Sequence, residues 1–389
     1  MFNFAGPVPL SLYVHLPWCV SKCPYCDFNS YEMSGALPEQ AYVDALIRDL
    51  EAEWEGVAGR EIGSVFFGGG TPSLFAAAAV ERVLAAVAAR ARLASEAEIT
   101  LEANPGTFDT GRFAAYRRAG VNRLSIGVQS LDSGRLQAIG RIHDGAQARA
   151  ALEGARAAGF DNINVDLMYG LPGQGGDQAL ADVEGVLQYR PEHVSHYQLT
   201  LEPQTRFYHQ PPPALPDDEA LWAVQLQCQA LLAARGYEHY EVSAYARPGR
   251  RCRHNLNYWR FGDYLGIGAG AHSKLTDITR RRVERSWKVK QPRLYMQEAG
   301  TPRGVAGREA LSPQDAAFEF MLNALRLVEG FDEGLFQGRT GLELGAVAGA
   351  LDAARDKGLL DRDGPRVRAT PAGYRYLNDL LQLFLPEPA

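Results

Sequence analysis

The sequence predicts an α/β fold: a partial (β/α)6 barrel followed by a small C-terminal, mostly helical domain of winged-helix type. Three observations carry this. Short β-rich runs alternate with longer stretches of helical period, which implies βαβ units around a parallel sheet. Several of those runs finish in glycine or polar residues, namely Gly68 to Gly70, Glu102, Asn104, Gln129 and Asp166. In βα barrels the carboxyl ends of the strands build the site, so such residues there are candidates for function. Finally, the texture of the chain changes after about residue 205 and again after about 305.

Taken in order, the strand candidates are "SLYVHL", "SVFFGGG", "ITLEANP", "RLSIGVQS", "NINVDLMYG" and "HVSHYQL". Amphipathic stretches at about 38–55, 75–92, 109–119, 145–158 and 177–189 lie between them. Six units fall short of an eightfold barrel. "QPPPALPDDE" then breaks the pattern and supplies acidic N-caps for a helix near 217–235. Arginine becomes dense through "YARPGRRCRHNLNYWR" and "TRRRVERSW". From about 311 a capped helix, a further helix, a tight turn, a short hairpin and a last helix follow. This divides the chain into a barrel over 1–205, an extension of it over 206–305, and a winged-helix-like domain over 306–389.

With 389 residues and 46% hydrophobic content, the chain can bury a large core. A net charge of −6 argues against nucleic acid as a partner. No apolar run has the length of a membrane span, and "MFNFAGPVPL" lacks the pattern of a secretory signal. The expected compartment is the cytoplasm, where thiols stay reduced and clustered cysteines bind metal or do chemistry.

Three of the five cysteines, Cys19, Cys23 and Cys26, crowd into "CVSKCPYC". Thiolates suit zinc, copper(I) or iron-sulfur clusters. A zinc site needs four closed ligands, with His15, or the distant Cys252 and His254, available to complete it. A cubane held by three thiolates instead leaves one iron open to a small chelating molecule. Trp18, Tyr25 and Phe28 would shield it.

This C-x3-C-x2-C loop after the first strand resembles the signature of the radical S-adenosylmethionine (SAM) superfamily. "YVHLPWCVSKCPYC", "FFGGGTPS", "LEANP", "RLSIGVQS", "GRIHD" and "NVDLMYGLPGQ" occur in the order seen in oxygen-independent coproporphyrinogen III oxidases and their relatives. "CRHNLNYW" followed by "YLGIGAGAHS" is similar to the HemW-type heme chaperone branch of that group. The resemblance implies a 4Fe-4S cluster on the three cysteines, with SAM chelating its open iron. It places Tyr13, Tyr25, Gly69, Gly70, Thr71, Glu102, Gln129, Arg141 and Asp166 around SAM. Glycines at a strand end let the backbone approach a ligand closely, although many such stretches are plain turns. Glu102 and Asp166 suit hydroxyls or an amine, and Arg141 suits a carboxylate. Internal pairing, for instance of Arg141 with Glu102, is the alternative.

The resemblance separates a carrier from an enzyme. The oxidases carry a further cysteine two residues after the third cluster ligand, where this chain has Phe28, and a longer arm than the 18 residues ahead of Cys19. Both departures put porphyrinogen decarboxylation in doubt. The expectation is a heme chaperone, with a coproporphyrinogen-oxidase-like radical enzyme as the alternative. In that reading His254 ligates heme iron, with His272 a further candidate and Cys252 an alternative or covalent partner. Tyr258 and Trp259 stack on the macrocycle, and Arg247, Arg250, Arg251 and Arg253 meet the propionates. Partners would be heme, an electron donor and heme-acceptor proteins, respiratory membrane complexes among the candidates, with a homodimer as the candidate assembly. Cys228, on the apolar side of a helical pattern, reads as core.

Overall fold

The computed structural model describes residues 2–107 and 109–386. All six expected strands form, as β1 (Leu10–Leu16), β2 (Glu61–Gly69), β3 (Arg92–Ala103), β4 (Arg123–Gln129), β5 (Ile163–Tyr169) and β6 (His193–Gln198). They run parallel and in chain order, Tyr13 beside Phe66, Glu102 beside Ser125, Gly127 beside Asp166, and Asp166 beside Ser195. The crossovers include α1 (Glu39–Trp54), α2 (Ala77–Ala88), α3 (Thr110–Arg118), α4 (Gly145–Ala157) and α5 (Gly176–Leu187). Their starts follow from capping: Asp109 accepts from the Arg112 amide, and Asp144 forms a capping box with Gln147.

The sheet does not stop at six strands. Two short strands, β7 (Glu238–Glu241) and β8 (Ala244–Ala246), extend it antiparallel beyond β6. On the other edge β9 (Asp263–Ile267) lies parallel to β1, Leu12 beside Leu265, as a seventh parallel strand not anticipated from the sequence. β10 (His272–Asp277), β11 (Arg282–Lys288) and β12 (Val305–Ala310) continue antiparallel from there. The result is one open sheet of 12 strands in the order β12-β11-β10-β9-β1-β2-β3-β4-β5-β6-β8-β7. Residues 206–305 therefore add to both edges of one sheet.

Leu12, Val14, Val65, Phe67, Leu101, Ile126, Val165 and Leu167 alternate along the strands and pack against Leu46, Val83, Leu152 and Val183 of the helices. Cys228 joins this core, fully buried on α6 (Asp218–Ala234), whose start Asp217 caps. The strand residues between them point the other way, into the barrel. A short helix, α7 (Arg253–Trp259), packs against β1, β2 and β9.

After β12, helix α8 (Pro313–Ala324) begins at a Ser312–Asp315 capping box. β13 (Phe331–Asp332), α9 (Glu333–Thr340), α10 (Ala348–Asp356), β14 (Leu360–Asp363) and β15 (Arg366–Ala369) follow, with the three strands paired in the order β13-β15-β14. This is the winged-helix-like arrangement expected. Phe320, Met321, Phe331, Phe336, Leu351 and Val367 form a second core, which Phe2, Phe261 and Val283 from the earlier part of the chain join. Among the described residues no helix is long and apolar enough to cross a membrane.

Candidate functional site

The cysteine loop and the inner faces of β1 to β6 enclose a cavity of about 600 Å³. Its walls include Cys19, Cys23, Cys26, Tyr13, Tyr25, Gly69, Gly70, Thr71, Glu102, Gln129, Arg141 and Asp166, together with His254. The structure thus gathers every residue named as a cluster ligand or SAM contact into one space, but Trp18, expected to shield the cluster, packs instead into the core, its ring 4.7 Å from Tyr42 and 6.1 Å from Phe75. The three thiols are half-buried and unpaired with one another. Burial pushes Cys19 up while the Thr71 hydroxyl pulls it down, and Cys26 Sγ lies 3.8 Å from Ser30 Oγ. Among the described residues no group of three His, Cys, Asp or Glu is compact enough to hold a single ion. His15 has its ring nitrogens engaged by the Tyr13 hydroxyl at 3.0 Å and the Asn29 carbonyl at 2.9 Å.

The glycine-rich strand end has a definite local reason. Gly69 has φ +115°, and a Cβ there would fall 2.5 Å from His15 Cε1. A Cβ on Gly70 would fall 2.6 Å from the Trp18 carbonyl oxygen. The amides of Gly70 and Thr71 donate to the carbonyls of Leu16 and Trp18, at 2.8 and 2.7 Å. Bare backbone here lets the end of β2 buttress the base of the cysteine loop.

Two carboxyls project into the cavity. Glu102 Oε2 accepts from the Gly69 amide at 3.1 Å, and burial, then the charge of Asp166, raises its pKa to about 8. Asp166 is also raised by burial, against hydrogen bonds from Asn164 Nδ2 at 2.7 Å and Ser125 Oγ at 3.2 Å. Arg123 offsets part of the charge of Asp166, whereas Glu102 faces no cation among the groups that shift it, so the pair favours a cationic or hydroxyl-bearing ligand near Glu102. Arg141 does not pair with Glu102. Its Nη2 donates to the Gly127 carbonyl at 2.8 Å, its Nη1 lies 3.5 Å from Cys23 Sγ, and its buried Nε has no partner among the described residues. Gln129 is aimed inward by a bulge after Gly127 and a left-handed φ of +67°, and its Oε1 accepts from Tyr197 at 2.7 Å.

Soft thiols on one wall, an orphaned guanidinium nitrogen and the Glu102 carboxyl on the others fit a cluster carrying a small zwitterionic, ribose-bearing ligand.

The segment "CRHNLNYW" is placed differently from expectation. His254 is 1% exposed, its ring is stacked 4.9 Å from Phe66, and its nitrogens engage Ser64 Oγ at 2.9 Å and Tyr258 Oη at 3.2 Å. Burial lowers its pKa to about 3. Cys252 is buried with its thiol 3.5 Å from Glu98 Oε1, and burial pushes it up to about 12. The arginines turn away. Arg251 pairs with Glu238 and Glu329, Arg253 donates to the Glu96 carbonyl, and Arg247 lies over the Tyr237 ring. Trp259 packs beneath the Arg326 guanidinium, 4.3 Å from its ring centre. His254, Trp259 and these arginines do not form one heme-sized face, because α7 shows its histidine to the barrel and its tryptophan to the C-terminal domain.

Ser125, Asn164, Ser195, Tyr197 and Arg123 also line the cavity and were missed in the sequence. A usable signal existed. Ser125 and Gly127, Asn164 and Asp166, and Ser195 and Tyr197 are each two apart on their strands, so one inward residue marks the other.

Comparison with known proteins agrees with this geometry. The sequence model of the Radical SAM superfamily matches residues 13–184, and that of the HemN C-terminal domain matches residues 311–376. Proteins described as "Heme chaperone HemW" are 47% identical in Escherichia coli (97% of this chain, 99% of that one) and 43% identical in Haemophilus influenzae (97% and 98%). The counterpart in Mycobacterium tuberculosis is 36% identical, over 94% of this chain and 92% of its own. The solved coproporphyrinogen III oxidase HemN of Escherichia coli superposes with a TM-score of 0.81 over 97% of this chain and 90% of that one, at 24% identity, a likeness of fold.

Proposed function

The chain belongs to the HemW heme chaperone family within the radical SAM superfamily, and from that premise we propose that it binds heme and passes it to acceptor proteins while carrying a 4Fe-4S cluster and SAM. The observation that carries the cofactor part is the convergence of Cys19, Cys23 and Cys26 with Glu102, Asp166 and Arg141 on one cavity. Cys19, Cys23 and Cys26 hold the cluster. Tyr13, Tyr25, Gly69, Gly70, Thr71 and Gln129 line the space around SAM, Glu102 and Asp166 accept from its hydroxyls and amine, and Arg141 meets its carboxylate. A reduced cluster held by these three thiols would supply one electron to a bound sulfonium. The protein's own contribution is placement, and shielding from water by Tyr25 and Phe28.

Phe28 favours carriage over porphyrinogen oxidation. It stands where the resemblance expects a further cysteine, and its side chain is 59% exposed at the rim of the cysteine loop. The test is a side-by-side assay on one anaerobically reconstituted sample. Hemin titration should give a saturable Soret change, and incubation with coproporphyrinogen III, reductant and SAM should give no decarboxylated product. Robust product formation would promote the oxidase reading in its place.

A further inference from the structure

Beside the cysteine loop lies a second hollow of about 660 Å³, which meets the first along Tyr13, Cys26, Phe28, Gly69, Glu102 and Tyr258. We propose that heme, the cargo required by the reading above, is held in this second hollow with His272 on the iron and Lys290 on a propionate. This assignment rests on the heme-chaperone reading and moves the site away from His254.

Three histidines line the two hollows, and their bonding differs. His15 and His254 have both ring nitrogens engaged. His272 is exposed, its ring lies 6.1 Å from Trp287 at 23°, and its nitrogens make no hydrogen bond among the described residues. Burial, then the charges of Arg285 and Lys290, lower its pKa, which keeps the imidazole neutral as iron requires. A planar macrocycle also needs apolar walls. Tyr258 and Tyr264, packed edge to face at 4.6 Å, supply one, and the exposed ring of Phe28 supplies a cover at the rim. "HNLNYW" thus contributes Tyr258 to this hollow and leaves His254 as its brace.

Propionates need cations. Lys22 is fixed at the rim by its bonds to the carbonyls of Phe28 and Ser30, each at 3.1 Å. The exposed Lys290 ammonium has no partner among the described residues. The volume lies in the range of sites that bury cofactor-sized ligands.

The test uses the full-length, cluster-loaded protein and two variants, His272→Ala and Lys290→Glu, titrated with hemin and with hemin dimethyl ester, whose propionates are capped. His272→Ala should shift the Soret band and raise the hemin Kd by about tenfold or more. Lys290→Glu should weaken hemin binding and leave the ester's affinity as it is in the wild type. Both positions are exposed, and unchanged iron and sulfide content will show that the fold is intact. Hemin titrations of His272→Ala that superimpose on the wild type overturn this placement and leave the chaperone reading standing. A wild-type chain that binds no hemin removes both.

Discussion

Replacing Glu102 with Gln isolates the electrostatic burden of the cavity. The Glu102 carboxyl is half-buried in the cavity wall, and burial plus the charge of Asp166 move its pKa from the ordinary 4.5 to about 8. Between those values the folded chain holds a proton that the unfolded chain has released. The group's contribution to stability is therefore fully present below about pH 4.5 and is lost as pH rises through about 8. Carried to pH 9, a displacement of that size is worth at most about 5 kcal/mol. For a chain of 389 residues, with an unfolding entropy of roughly 2.1 cal/mol/K per residue, that is about 6 °C in Tm. The assay is thermal unfolding of wild type and Glu102→Gln at pH 5 and pH 9, without added SAM. The two should melt close together at pH 5, and the variant should melt higher at pH 9 by up to about 6 °C. A Tm difference that is the same at both pH values would refute the reasoning, since it would mean that Glu102 ionises in the folded chain as freely as in the unfolded one.

Cys23→Ser should abolish the uptake of about four iron and four sulfide per chain that anaerobic reconstitution of the wild type is expected to give; zinc at unit stoichiometry in the wild type, without iron, would defeat the cluster assignment. Gly70→Ala forces a methyl to within 2.6 Å of the Trp18 carbonyl. It should lower stability by about 1–3 kcal/mol and speed cluster loss under air, and a variant as stable as the wild type on both counts would show that the loop can give way there.

The parallel strands were legible because each is short, β-rich and bounded by turn residues, and because both faces of such a sheet are covered. Leu10–Leu16 and Ile163–Tyr169 are each buried at six of seven positions. Asp263–Ile267 escaped notice because five residues containing a glycine carry too little alternation to mark a strand. It is the register of Leu10–Val14 with Asp263–Ile267 across the fold that makes it one. The cavity walls proposed to hold cluster and SAM were legible for a related reason, since strand ends in a parallel sheet converge. The placement of the segment proposed for heme was not legible, because partners distant in sequence decide the fate of its side chains. Arg251 meets Glu329 and Arg253 meets Glu96, and local composition reveals neither pairing. A histidine among arginines reads as a surface anion site, whereas Ser64 and Phe66 draw His254 into the barrel.

The short helix Arg253–Trp259 serves two masters. Its inner side presents His254 and Tyr258 to the cavity. Around its outer side, Glu329 is clasped by Arg251 and Arg260, while Arg326 covers Trp259 and reaches Glu241. The C-terminal domain is for this reason no detachable accessory. A chain truncated after residue 310 would strip Arg251, Arg260 and Trp259 of these partners at once and unmoor the cavity wall they anchor. The barrel and its appendage should accordingly melt together in one cooperative transition.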